Sequence, residues 1–218
     1  EEVMEQVYDI RERNADIYEH SLSVCSLAII LGLRLGLLKE RIHDLGVGCL
    51  LHDIGLRYLT IDYSNQDISM LSEEDRKEFM KHPVFGYSSL KNERWISNTS
   101  KDILLYHHER KDGSGYPLRT KTVPSIEVSI AIICDIFDEL ICGIGFEKKK
   151  VHEAIEYIKA GRESKFNAKI VEELLELVAV YPAGTKVLTT DGELAIVIRQ
   201  NKGLPDRPVL RIVRDKQG

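Results

Sequence analysis

The sequence predicts a mainly helical fold, a helical bundle that carries a small antiparallel β appendage at its C-terminus. Three observations predict it. Apolar residues recur at spacings of three and four before residue 180, as in Val24, Leu27, Ala28, Leu31 and Leu35, which is the period of one helix face. After Pro182-Ala183-Gly184 the texture changes to alternating, β-branched runs: 186-KVLTT-190, 193-ELAIVIRQ-200 and 208-PVLRIV-213. Asp191-Gly192, between the first two runs, is a hairpin signal because the tight turn needs positive φ. The chain therefore divides at about residue 181, into a helical domain over 1–180 and a three-stranded appendage over 181–218.

In order, the periodicity predicts a helix over 2–38, broken at Gly36 or the turn after it. A second helix over 39–54 carries Ile42, Leu45, Leu50 and Leu51 and closes at Gly55, read as a left-handed C-cap. Residues 56–71 read as irregular. Ser72 then reads as an N-cap with Asp75 at the third helical position, and His82-Pro83 falls in or just after that helix. Short helices over 84–92 and 98–109 precede a loop over 110–123 rich in Gly, Pro and Ser. An apolar helix over 124–142 has Pro124 in its first turn, and helices over 148–160 and 167–179 follow. The β appendage reads either as a packing element or as a partner-binding edge.

Composition narrows the function classes. With 43% hydrophobic and 30% charged residues the chain has a globular balance rather than that of a disordered one. A net charge of −5 argues against a binder of DNA or RNA polymers, which needs a basic footprint. The longest apolar run, 27-LAIILGL-33, stops at Arg34, short of the ~18 residues of a membrane segment. The acidic start, EEVMEQVYDI, lacks the build of a signal peptide and an initiator Met, and reads as the start of a fragment of a longer protein. Cys25, Cys49, Cys134 and Cys142 have no CxxC spacing and read as buried free thiols of a cytoplasmic, reducing compartment.

Chemistry concentrates in the histidines. Of seven, His43 and His152 sit on charged stretches and are set aside. His52-Asp53 lies at an apolar helix end, 49-CLLHDIG-55, and His107-His108 precedes a glycine loop in 107-HHERKDGSGYP-117. Asp135 is embedded in 131-AIICDIF-137. Burying any one of these is costly unless it finds a partner, and a core histidine bonded to a carbonyl is the ordinary solution. For so many in one domain a shared cation is the more economical account. Imidazole and carboxylate together suit Fe, Mn, Co, Ni or Zn. A carboxylate next to a His can bridge two ions ~3.5–4 Å apart, and a water between them becomes a hydroxide near neutral pH, the nucleophile for phosphate-ester hydrolysis.

The order of 52-HDIG-55, 82-HPVFG-86, 107-HHERKDGSGYP-117 and an Asp in an apolar helix followed by FDEL resembles the HD-GYP family of the HD phosphohydrolase superfamily, from about residue 14 to the mid-170s. The resemblance implies an all-helical HD-domain bundle and a phosphodiesterase that opens cyclic di-GMP to pGpG or GMP with two or three divalent metal ions, Fe or Mn. It implies His20, His52, Asp53, His82, His107, His108 and Asp135 as metal ligands. Asp53 is the bridging carboxylate, and His52 and Asp53 are the catalytic pair. Asp16, one turn before His20, stands where three-metal members place a further ligand. Gly113, Gly115, Tyr116 and Pro117 would border the substrate. An N-terminal sensory or receiver domain and a homodimer contact through the first helix are also implied.

Three positions depart from the family pattern. Leu56 stands where a phosphate-contacting Lys is usual, with Arg57 beside it as a substitute substrate contact. Ile144 replaces an Arg, and of the Lys148-Lys149-Lys150 run that follows, the plainer reading is a solvated helix start. Ser129 or a neighbour stands where an Arg precedes the metal-binding Asp. The metal set is intact while the phosphate-positioning cations are thinned. The alternatives to cyclic di-GMP hydrolysis are therefore a degenerate module that binds metal or nucleotide with little turnover, and a hydrolase of another phosphoester.

Overall fold

The computed structural model of the chain describes residues 15–63, 67–201, 204 and 207–214. Eight α-helices lie among them: α1 Ala15–Arg34, α2 Lys39–Leu51, α3 Glu73–Phe79, α4 His82–Leu90, α5 Asn98–Tyr106, α6 Ile126–Cys142, α7 Val151–Ala160 and α8 Ala168–Leu177. Two 3-10 turns, Ile54–Tyr58 and Ile68–Met70, occupy the stretch expected to be irregular. The part of the first predicted helix before residue 15 lies outside the described residues. Its end is as expected: α1 stops at Arg34, and Gly36 turns the chain with φ +73°.

α6 is the axis of the bundle. It is buried continuously from Glu127 to Leu140, as suits a helix that is apolar on nearly every side. The Oγ of Ser125 accepts the N–H of Val128 at its start, and Gly143, at φ +79°, ends it. Pro124 therefore sits one residue ahead of the cap and not in the first turn, because Ser125 can accept a backbone N–H and so takes the cap position. Leu31 of α1, Leu45 of α2, Ile130 and Ile133 of α6, Ile155 and Ile158 of α7 and Leu174 of α8 form the main core. By length and composition α1 passes as a membrane-crossing helix over Asp16–Arg34, although its longest unbroken apolar run is short. Its Val24, Ala28 and Leu31 belong to this core.

Further boundaries differ from the periodic reading, among them the start of α4 at His82 rather than 84 and the end of α5 at Tyr106 rather than 109. α2 ends at Leu51, not 54, and Gly55 is not left-handed but belongs to the 3-10 turn. Its lack of a side chain answers to a close approach: a Cβ there would lie 1.9 Å from the carbonyl oxygen of His82. The helix expected from 148 starts at Val151, because the Glu153 carboxylate accepts the Lys150 N–H and makes Lys150 the cap. By contrast, Ser72 caps α3 as expected, its Oγ accepting the N–H of Asp75 and donating to the Asp75 carboxylate.

The C-terminal segment forms a three-stranded antiparallel sheet in the order β1 Lys186–Leu188, β2 Leu194–Arg199, β3 Val209–Arg214. Val187 pairs with Ala195 and Gly192 turns the hairpin at φ +83°. Tyr181 joins sheet to helices. Its carbonyl accepts from Gln200 Nε2 at 2.6 Å, and its ring stacks on His152, which is thereby accounted for. All four cysteines are free thiols; Cys49 and Cys134 are buried, Cys25 is partly covered and Cys142 is exposed, so the reading of four buried thiols holds for two.

Candidate metal centre

Five separate pieces of chain bring the seven predicted ligands together. His20 lies in α1, His52 and Asp53 follow α2, His82 opens α4, His107 and His108 follow α5, and Asp135 lies midway along α6. All seven are buried. The helix ends do the aiming. The Nδ1–H of His52 donates to the Cys49 carbonyl at 2.6 Å, that of His82 to Phe79 at 2.8 Å, and that of His107 to Leu104 at 3.0 Å. Each ring is thus pinned by its own preceding turn, which leaves Nε2 as the ligating nitrogen.

Those nitrogens converge on Asp53. Its Oδ1 is 3.3 Å from His82 Nε2 and 3.6 Å from His107 Nε2, while Oδ2 is 3.3 Å from His52 Nε2 and 3.8 Å from His20 Nε2. One carboxylate therefore faces two sets of imidazoles. Asp135 Oδ1 lies 3.1 Å from His20 Nε2 and 3.4 Å from His52 Nε2, and its Oδ2 lies 3.7 Å from His108 Nδ1. Three groups of donor atoms result: Asp53, His82, His107 and His108; His20, His52 and Asp135; and His108, Asp135 and Glu139. Asp16 is exposed and belongs to none of them.

The electrostatics match a cation site. Burial pushes the His107 and His108 imidazoles below their usual range, so both are neutral and ready to ligate. Burial also acts against the charged form of His20, but hydrogen bonds to Asp135 and Asp138 overcome it and hold the ring up at about 10. Burial likewise disfavours the Asp53 carboxylate, yet the His52 charge and bonds from the surrounding imidazoles hold it well below its ordinary value. Three buried polar atoms at the centre have no hydrogen-bond partner: His52 Nε2, Asp135 Oδ2 and Glu139 Oε2. Orphans of this kind are costly unless a ligand satisfies them. Imidazole nitrogens with shared carboxylates fit divalent transition metals, and the residues present fit such a group.

The glycine loop supports the centre from behind. Tyr116 stacks on the His108 ring at 4.5 Å, and its N–H donates to the His108 carbonyl. Gly115 must be glycine, because a Cβ would come within 2.3 Å of that carbonyl oxygen. Gly113 supplies a turn at φ +79°. The loop is held by Glu109, whose buried carboxylate accepts the N–H groups of Leu118, Arg119 and Thr120 at 2.6, 3.0 and 3.0 Å. A cavity of about 420 Å³ opens beside the donors, lined by His20, Asp53, His108, Glu139, Leu56 and Lys148 among others. Gly113, Gly115, Tyr116, Pro117 and Arg57 are not in its lining. Gly115 and Tyr116 instead pack against His108, and the Arg57 guanidinium lies over the Tyr58 ring at 5.3 Å.

Sequence reasoning missed three contributors. Asp138 accepts His20 Nδ1–H at 2.7 Å and a bond from the Ser23 hydroxyl, and so sets the His20 tautomer. Glu139 stands one turn after Asp135 on the same helix. Glu109 follows the His pair directly. The available signal was the i+3 and i+4 spacing from Asp135, which places acids near the same face.

A family described as HD domain matches residues 5–170. The chain is 30% identical, over 84% of its length, to a cyclic di-GMP phosphodiesterase of Pseudomonas aeruginosa, and 26% identical, over 89%, to the cyclic di-GMP phosphodiesterase PdeB of Borreliella burgdorferi. It spans about half the length of these relatives or less, 44% and 51%. Among solved structures it resembles Bd1817, an HDG"Y"P protein of Bdellovibrio bacteriovorus, with a TM-score of 0.63 and 25% identity over 72% of this chain and 51% of that one. With the imidazole and carboxylate cluster in place at the motif positions, the chain belongs to the HD domain family.

Proposed function

We propose that this chain hydrolyses a cyclic dinucleotide, cyclic di-GMP, to pGpG or GMP as a metal-dependent phosphodiesterase. One observation carries the reading: the two oxygens of Asp53 face separate sets of imidazole nitrogens, the arrangement that a shared carboxylate between two ions requires. His82, His107, His108 and Asp53 would hold one ion, and His20, His52, Asp135 and Asp53 the other. Such ions, when bound, activate water and neutralise the charge that develops on phosphate. The protein's own residues orient and exclude. The backbone carbonyls behind His52, His82 and His107 fix the ring planes, Asp138 holds the proton on His20 Nδ1, and buried Leu56 keeps water off one wall. Lys148 borders the cavity and would meet a second phosphate, which favours a substrate role for it over a solvated helix start.

A second reading rests on Leu56 and Ile144. The two side chains pack in one apolar cluster with Ile17 and Phe79, so the wall usually carrying cations carries none at these positions. That favours weak turnover, or a phosphoester with a less charged face. To separate the readings, the protein is purified anaerobically, supplied with Fe(II) or Mn(II), and incubated with cyclic di-GMP, and the products are resolved by chromatography. Two or more ions per chain with pGpG or GMP formed is the expected result. Ions bound without turnover would replace the enzyme reading by the binding module or another substrate. Fewer than two ions per chain would remove the basis of both.

A further inference from the structure

Away from the metal centre, two cavities of about 500 and 680 Å³ lie where the β appendage meets the start of α7. They adjoin, since His152, Tyr181, Lys186 and Val187 line both. Lys149 and Lys150 border the first and Arg207 the second. Neither lining contains an Asp or a Glu, in a chain whose net charge is −5. Among the described residues, no ion pair neutralises Lys149, Lys150, Lys186 or Arg207. Asp67 and Glu153 feel the Lys149 charge, but they are engaged elsewhere, accepting the backbone N–H groups of Ser69 and Lys150. A cleft lined by one sign of charge concentrates the field and draws the opposite sign into it.

Size and shape select the class of anion. Each cavity falls within the ~300–1,000 Å³ of small-molecule sites, which suits a compact ligand over a polypeptide. The His152 and Tyr181 rings, stacked at 5.5 Å, border both cavities, and an aromatic surface of this kind accepts a nucleobase with little regard to which base it is. Thr185 and Thr189 add hydroxyls that can donate to phosphate oxygens. We propose that this cleft binds a nucleoside polyphosphate, with its base against the His152–Tyr181 pair and its phosphates among Lys149, Lys150, Lys186 and Arg207. Because His152 belongs to α7 and Lys186 to β1, such a ligand ties the sheet to the helices. None of these residues is among the metal donors, so the site stands or falls independently of the phosphodiesterase reading. Lys148 borders both this cleft and the cavity beside the metal donors, and so does not distinguish the two.

The test is calorimetry on the full chain freed of metal, so that no ion draws phosphate to the centre. GDP is the probe, and guanosine, inorganic pyrophosphate and hexaglutamate are the comparisons. The parent chain is expected to bind GDP more tightly than pyrophosphate, and guanosine not detectably. Lys186→Gln and Arg207→Gln are each expected to weaken GDP binding about tenfold, the loss of one charge-assisted bond. Lys77→Gln, on the exposed face of α3 and paired with Glu73, is expected to leave it unchanged. His152→Ala is expected to weaken GDP but not pyrophosphate, and His152→Phe to restore GDP, which separates stacking from a loss of fold. Far-ultraviolet circular dichroism and Mn²⁺ uptake of every variant should match the parent's. A parent that does not bind GDP, or binding that survives both Lys186→Gln and Arg207→Gln, would overturn the proposal. Pyrophosphate bound as tightly as GDP would remove the nucleotide from it, and hexaglutamate bound more tightly would replace it by an acidic polypeptide.

Discussion

Single side chains decide what the centre can hold. His20 carries its proton at pH 8, because the carboxylates of Asp135 and Asp138 hold the ring up at about 10 against burial. An incoming ion must displace that proton, so Mn²⁺ binding at pH 8 should release at least one proton per chain, and affinity should fall as pH is lowered. Calorimetry in buffers of different ionisation heat measures the release; a heat independent of buffer would contradict it. Glu109 acts through structure instead. Glu109→Ala would leave three backbone N–H groups of the loop without their acceptor, at a cost of about 3 kcal/mol in urea denaturation and with loosening of His108 behind Tyr116. His52, Asp53, His107, His108 and Asp135 were legible from their own setting in the sequence, whereas His20 and His82 were reached only through the family resemblance. Asp138 and Glu139 were not legible, since their partners come from residues far away in sequence, such as His20, 118 positions before Asp138. An acid beside another acid in a helix also reads as solvated until the helix is seen to be buried.

At the scale of elements, the interior of each helix was legible from its period, and the errors fell at the ends. Gly55 shows why. A glycine after a helix reads as a left-handed cap, but here the 3-10 turn presses against the first turn of α4, a contact the local sequence does not encode. Gly55→Ala should force these elements apart, costing about 3 kcal/mol and lowering metal content, because Asp53 and His82 flank the contact. A variant that kept full metal content would show that the approach can relax. The start of α6 is a milder case. Ser125→Ala should cost about 1 kcal/mol through loss of the cap to Val128, with metal content unchanged. The sheet was readable from Asp191-Gly192 and strand alternation, since the turn chemistry there is local.

At the scale of the molecule, α6 serves both as core and as ligand carrier, so stability and metal occupancy are linked. Binding of ions to the folded form alone stabilises it, and with free metal at a hundred times Kd the gain is about 2.7 kcal/mol per site. Removing metal with a chelator should lower the melting temperature by about 5–10 °C for each site emptied. The appendage should matter less. The chain truncated after Tyr181 is expected to retain its helical circular dichroism and its metal count, because the donors all precede it; loss of both would show that the sheet completes the helical fold.

The converging histidines have one more consequence. The donors come from positions as distant as His20 and Asp135, 115 residues apart, and from His82 and His107, 25 apart. Ions seated among them tie distant parts of the chain together, and, unlike disulfides, they do so only while it is folded. A tie of this kind can be withdrawn by metal starvation and restored by supply. Starved of metal, the chain would open more often, and each opening exposes it to proteases. The amount of intact protein, and not only its rate of reaction, would then follow the free metal around it.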